Sequence, residues 1–82
     1  MLKNFIKVIC LYDINGNIKP LYVVYTNELI YKIKRIISKE AKNTFEGGES
    51  CIRYTCLFEN NQKRDLFLDA NKWYVEKVDS QA

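Results

Sequence analysis

Between positions 32 and 42 the chain carries Lys32, Lys34, Arg35, Lys39 and Lys42 against a single acid, Glu40. Arg53 follows, and six tyrosines (Tyr12, Tyr22, Tyr25, Tyr31, Tyr54 and Tyr74) are spread through the sequence. Cations interleaved with aromatic rings on a curved sheet suit single-stranded nucleic acid, whose bases stack on rings while its phosphates meet lysine and arginine. That chemistry makes Lys32, Lys34, Arg35 and Arg53 a candidate nucleic-acid face. A plainer origin fits the same residues: lysines keep a strand's wet face soluble, and tyrosines bury the ring with the hydroxyl at the rim. On a strand, Lys32 and Lys34 project to one face and Tyr31, Ile33 and Ile37 to the other. Arg35 then falls on the apolar side unless a bulge resets the register.

Other chemistry is poorly supplied. With no histidine, the chain lacks the commonest general base, the Ser–His and Cys–His nucleophile pairs and the commonest zinc ligand. Its three cysteines, Cys10, Cys51 and Cys56, form no Cys-x-x-Cys pair. If Cys51 and Cys56 share a strand, their odd separation sends them to opposite faces. Three thiols cannot all pair, which predicts reduced cysteines acting as small hydrophobes and a cytoplasmic setting. An exposed Cys51 would be the one place for thiol chemistry. The acids Glu46, Glu49, Asp65 and Asp69 sit at turns and loop edges, where carboxylates stay solvated. Gly47-Gly48 lacks the preceding strand, following helix and lysine of a phosphate cradle. The sequence thus predicts no catalytic, cofactor or metal site, and a binding module rather than an enzyme.

The elements that position these residues read mostly as short strands. Phe5 to Tyr12 is β-branched and aromatic, and Ile18 to Thr26 follows it across Asn15-Gly16, the favoured pair for a type I′ hairpin turn. Pro20 is confined to an edge, a bulge or a strand start, because it cannot donate to a ladder. Leu29 to Ser38 is ambiguous: its apolar spacing fits a helix, its composition a strand. Lys39 to Ser50 reads as the longest loop. Cys51 to Glu59 alternates, with Ile52, Tyr54, Cys56 and Phe58 to one side and Arg53, Thr55 and Glu59 to the other. Asn60-Asn61-Gln62 turns the chain into Arg64 to Asp69, and a break at Ala70-Asn71 leads to Lys72 to Val78.

Two of these strands are apolar on both sides. Phe5, Ile9 and Leu11 alternate with Ile6, Val8, Cys10 and Tyr12, and Tyr22 and Val24 alternate with Leu21, Val23 and Tyr25. A wet antiparallel sheet is polar on one side. Either these strands lie between two layers of the domain, or one face meets a partner. The second is favoured in so small a domain, which makes Phe5, Ile9, Leu11, Tyr22 and Val24 a candidate self-association face, covered by a second copy or another protein. Trp73 and Phe58 are expected in the core.

Eighty-two residues with 48% apolar and 13% aromatic content make one folded domain over residues 1–82, with an ordered core from about 4 to 78. The net charge of +3 is mild for a dedicated nucleic-acid protein. No apolar run reaches the roughly 18 residues of a membrane span, and Lys3 and Lys7 interrupt the only stretch resembling a leader. Ile, Lys and Asn, residues with AT-rich codons, point to an AT-rich genome. Six strands joined by tight turns predict an all-β antiparallel meander, closed as an SH3-like or OB-like barrel because closure removes sheet edges.

The run Lys7 to Leu21 (KVICLYDINGNIKPL), with Tyr31 to Ser38 (YKIKRIIS), Arg53 to Cys56 (RYTC) and Lys72 to Val78 (KWYVEKV), resembles a family of short uncharacterised proteins from AT-rich Gram-positive bacteria. It is also loosely similar to a small bacterial domain of unknown function. The resemblance spans residues 6–78. It implies that Leu29 to Ser38 is a strand, and it implies no established activity. The function expected is a small intracellular interaction module acting through protein–protein contacts; the alternative is a nucleic-acid-binding barrel. No cofactor, membrane or small-molecule substrate is expected.

Overall fold

The computed structural model describes residues 2–25, 29–43 and 50–77. Six strands, β1 (Leu2–Tyr12), β2 (Ile18–Val24), β3 (Ile30–Asn43), β4 (Ser50–Phe58), β5 (Lys63–Asp69) and β6 (Lys72–Lys77), follow one another around a barrel. Every neighbouring pair is antiparallel, and β6 returns to β1 to close it. Among the described residues no helix is long and apolar enough to cross a membrane.

Strand periodicity decides what fills the interior. Val23, Ile33, Tyr54, Cys56, Phe58, Leu66, Leu68 and Trp73 form the buried cluster, and Ile6, Val8, Cys10, Ile52 and Val75 pack against it. Trp73 and Phe58 thus take the core places expected of them. Tyr54 is only 1% exposed, and its hydroxyl donates to the Ile18 carbonyl at 3.2 Å, satisfying the one polar atom that the ring carries inward. Each fully buried aliphatic side chain, such as Leu66, contributes about 1.5–3 kcal/mol.

The two long strands, β1 and β3, each serve two sheets, and bulges bend β3. β1 pairs with β6 through Leu2–Ile6 and with β2 from Lys7 to Tyr12. β3 pairs with β2 through Ile30–Lys32 and with β4 from Ile33 onward. The register slips at Lys34 and again at Ile37 on β3, and at Leu21 on β2, each time leaving one extra residue unpaired. Pro20, without an N–H to donate, is buried beside the β2 bulge. The Lys34 bulge resets the register of β3. Ile33 is buried, Lys34 and Arg35 are both exposed, and Ile36 turns back toward the core.

The segment of mixed helix and strand character is a strand, and it runs further than its composition suggests. Lys39 to Asn43, expected to open the long loop, continues β3 opposite Tyr54 to Ser50. These polar residues carry no strong preference of their own; the alternating β4 supplies the pairing. Gly47-Gly48 and Thr26 lie outside the described residues. The Asn15-Gly16 hairpin also differs from a type I′ turn, which needs positive φ at both central residues. Here only Gly16 is positive, at φ 85°. Its N–H donates to the Asp13 carbonyl at 3.0 Å, and the Asp13 carboxylate accepts from the N–H groups of Asn15 and Asn17 at 2.8 and 2.9 Å. Asp13 is the residue that selects this wider turn. The Phe58–Gln62 turn repeats the arrangement, with Asn61 at φ 69° and the Asn60 side chain accepting from the Gln62 N–H.

Candidate interaction surface

The inward residues of β1 commit Phe5, Ile9 and Leu11 to the outside by alternation. They are 57%, 48% and 53% exposed. Pairing sets them in rows across three strands. Lys7 faces Val24, which faces Ile30; Ile9 faces Tyr22, which faces Lys32; Leu11 faces Lys19. Tyr22 and Val24 are half-buried, Ile30 is exposed, and Ile14 at the hairpin tip is wholly exposed. All five residues of the candidate self-association face therefore lie on the outer surface, Phe5 set apart along β1 where that strand pairs with β6. Ile30 and Ile14 extend the apolar surface beyond what strand alternation in the first hairpin indicated.

A second outer feature was not anticipated. Phe5, Tyr74, Phe67, Arg53 and Glu40 stand in register across β1, β6, β5, β4 and β3. Phe67 and Tyr74 stack at 5.1 Å, and Phe5 meets Tyr74 edge-on at 5.7 Å. The Lys3 ammonium lies 5.0 Å above the Tyr74 ring. With Cys51, Phe67 and Tyr74 form a buried cluster on the outside of the barrel. The signal was present in Leu66-Phe67-Leu68 and Trp73-Tyr74-Val75, where large residues occupy both faces of a strand. Burial pushes the Tyr74 phenol up to about 12, helped by its contact with Cys51. Cys51 is buried, so the exposed thiol that nucleophilic chemistry would need is not there. Cys56, in the core, is also pushed up to about 12 by burial and then by Asp65, which holds it as an inert thiol.

The cationic residues divide between the sheets. Lys32 belongs to the row it shares with Ile9 and Tyr22, and its ammonium lies 3.8 Å from Glu59. Arg53 belongs to the aromatic row on the other sheet and is paired with Glu40. Lys34 and Arg35, exposed at the bulge between them, have no acidic partner among the described residues. Of the four candidate phosphate contacts, two are thus already matched by carboxylates. Among the described residues no group of histidine, cysteine or acidic side chains is placed to hold a metal.

Where β5 and β6 part, the barrel wall opens. They pair only through Phe67–Asp69 and Lys72–Tyr74. Between their free halves lies an open cleft of about 1130 Å³ that reaches Val23, Phe58, Leu66 and Val75, with Tyr25, Leu29 and Tyr31 at its side. Tyr25 and Tyr31 meet edge-on at 5.6 Å there. Comparison with protein-family models, with characterised proteins and with solved structures finds no match to this chain.

Proposed function

We propose that the chain is a small interaction module that binds protein through the outer face of its β1–β2 hairpin. One observation carries the reading: β1 packs Ile6, Val8 and Cys10 into the core while it leaves Phe5, Ile9 and Leu11 about half exposed on its other side. A sheet face that meets only water is normally polar, and contiguous exposed aliphatic side chains mark contact surfaces. Tyr22 and Val24 widen the patch, and Lys7, Lys19 and Lys32 give it a charged rim, the pattern of an interface with an apolar centre. Among the described residues Cys51 and Cys56 are buried, Cys10 is half-buried, and the exposed acids Asp13, Glu40, Glu59, Asp65 and Glu76 are dispersed over separate turns and strands.

The test places a photoreactive amino acid at Leu11 in the chain as it is expressed in cells, with a second probe at Lys63 on β5 as control. Protein adducts at position 11 and not at position 63 are expected. Absence of any protein adduct at position 11 overturns the reading. Salt-sensitive binding of single-stranded oligonucleotide, lost on Lys34→Glu and Arg35→Glu substitution, would replace it with the nucleic-acid alternative.

A further inference from the structure

Besides the free halves of β5 and β6 and the start of β2, closing the barrel leaves long edges of β3 and β1 unpaired among the described residues, and these two are treated differently. Beyond Lys32, β3 pairs only with β4. Its other edge is broken by bulges at Lys34 and Ile37 and carries Lys34, Arg35, Lys39 and Lys42, the devices that stop strands adding to a sheet. Past Ile6, β1 likewise pairs only with β2 among the described residues. The Asp13 N–H bonds to the Asn17 carbonyl, so by alternation the amides of Leu11, Ile9 and Lys7 face β2. Those of Val8, Cys10 and Tyr12 face outward from the sheet edge. That edge, Val8-Ile9-Cys10-Leu11-Tyr12, has no charge, no proline and no bulge on its own strand.

We propose that this edge pairs with the same edge of a second copy, antiparallel, with Cys10 opposite Cys10. The inference rests on the reading above and names its partner. Side-chain complementarity fixes the register. Only residues whose amides face the edge can form the narrow pairs, so Cys10 must oppose Val8, Cys10 or Tyr12 of the second copy. With Cys10 opposite Cys10, Ile9 meets Leu11 and Lys7 meets Asp13 of the other chain, on the outer face. Slipping by one pair in either direction sets Lys7 against Leu11 or Ile9 against Asp13. Opposite charges and apolar pairs directly across a ladder are favourable, and a register is specified where such pairs coincide. The Asp13 carboxyl is held below the usual range by its turn hydrogen bonds and so is ionised in neutral solution. A further fit is independent of charge. The same register carries Ile14 of the second copy, wholly exposed in one chain, opposite Ile6. There a recess of about 610 Å³ lies between β1 and the start of β6, bounded by Phe5, Val8, Lys72 and Trp73.

The experiment uses the full chain with Cys10→Ser and either Ile9→Cys or Leu11→Cys. In the proposed register positions 9 and 11 form a wide-ring pair with Cα atoms about 4.5 Å apart, within disulfide reach. Mild oxidation of the two variants mixed is expected to give a disulfide dimer at least about tenfold faster than either variant alone. Sedimentation of the unmodified chain is expected to show a dimer. Tyr12→Pro removes an edge-facing N–H while leaving the amides that face β2 in place, and is expected to give a folded monomer. Equal linking by Ile9→Cys alone, or a monomer at millimolar concentration, overturns the edge pairing. A photo-adduct at position 11 with a different protein also overturns it, yet leaves the interaction reading standing; no adduct at all sinks both.

Discussion

At the scale of single residues, backbone conformation makes the clearest demand at Ala70. It turns β5 into β6 at φ 58°, a region where a Cβ costs roughly 1–2 kcal/mol. Glycine there removes that penalty and returns part of the gain as extra freedom of the unfolded chain. Ala70→Gly is therefore expected to stabilise the barrel by about 0.5–1 kcal/mol, read as a higher urea midpoint with an unchanged slope. A lower midpoint would mean that Ala70 is held without strain. Asp13 makes a different demand, because its carboxylate organises the first hairpin through two backbone N–H groups and the Asn17 amide. Those bonds, first among them the one from Asn17, depress its pKa. A depressed carboxyl contributes stability that is present above its unfolded pKa and lost as pH falls through the folded one. Asp13→Ala should thus lower the urea midpoint near neutrality, and lower it progressively less as pH falls below the unperturbed carboxyl value of about 3.9. An equal loss at every pH would show that the turn does not depend on the ionised form.

At the scale of elements, what alternation encodes was legible and what bending encodes was not. Ile52, Tyr54, Cys56 and Phe58 read as one inward face, and the structure buries or half-buries every one of them. The outward exposure of Ile9 and Leu11 follows from the same rule. Bulges follow from no local rule: Lys34 and Ile37 are displaced because β3 must leave one sheet and join another, a requirement set by closure. For the same reason the strand character of Lys39 to Asn43 could not be read from polar residues whose pairing is supplied by β4. The outer aromatic row escaped because Phe5 of β1 reaches Tyr74 of the β5–β6 hairpin only when the barrel closes. Arg53 illustrates the consequence for the site. By sequence it is a candidate phosphate ligand; by position it stands between Phe67 and Glu40, with its charge already answered. Glu40→Gln is expected to leave the fold intact and to release that charge. If the nucleic-acid alternative holds, the variant binds single-stranded oligonucleotide more tightly than the parent chain at low salt; no change in binding counts against that alternative.

At the scale of the whole molecule, two dry regions lie on opposite sides of one wall. Cys56 faces the interior, and Tyr74 faces the outside in the cluster with Cys51 and Phe67. Both neutral forms are held by desolvation, Cys56 from 9.0 and Tyr74 from 10.0, each up to about 12. The folded values lie above the unfolded ones, so below the unfolded pKa the contribution of each is fully present. It drains away as pH rises toward about 12, from about 9 for Cys56 and from about 10 for Tyr74. The barrel is therefore expected to lose stability progressively in alkali as these two groups ionise. Tyr74→Phe keeps the stack on Phe67 and removes the titrating hydroxyl. Its urea midpoint should fall less steeply between about pH 10 and 12 than that of the parent chain. Cys56→Val should flatten the same profile from about pH 9 upward. If Tyr74→Phe leaves the alkaline slope unchanged while Cys56→Val reduces it, the outer cluster is wet and only the interior is sealed. If both variants flatten it, the wall is dry on both sides, and the rigid two-faced sheet from which β1 presents its edge is a property of the isolated chain.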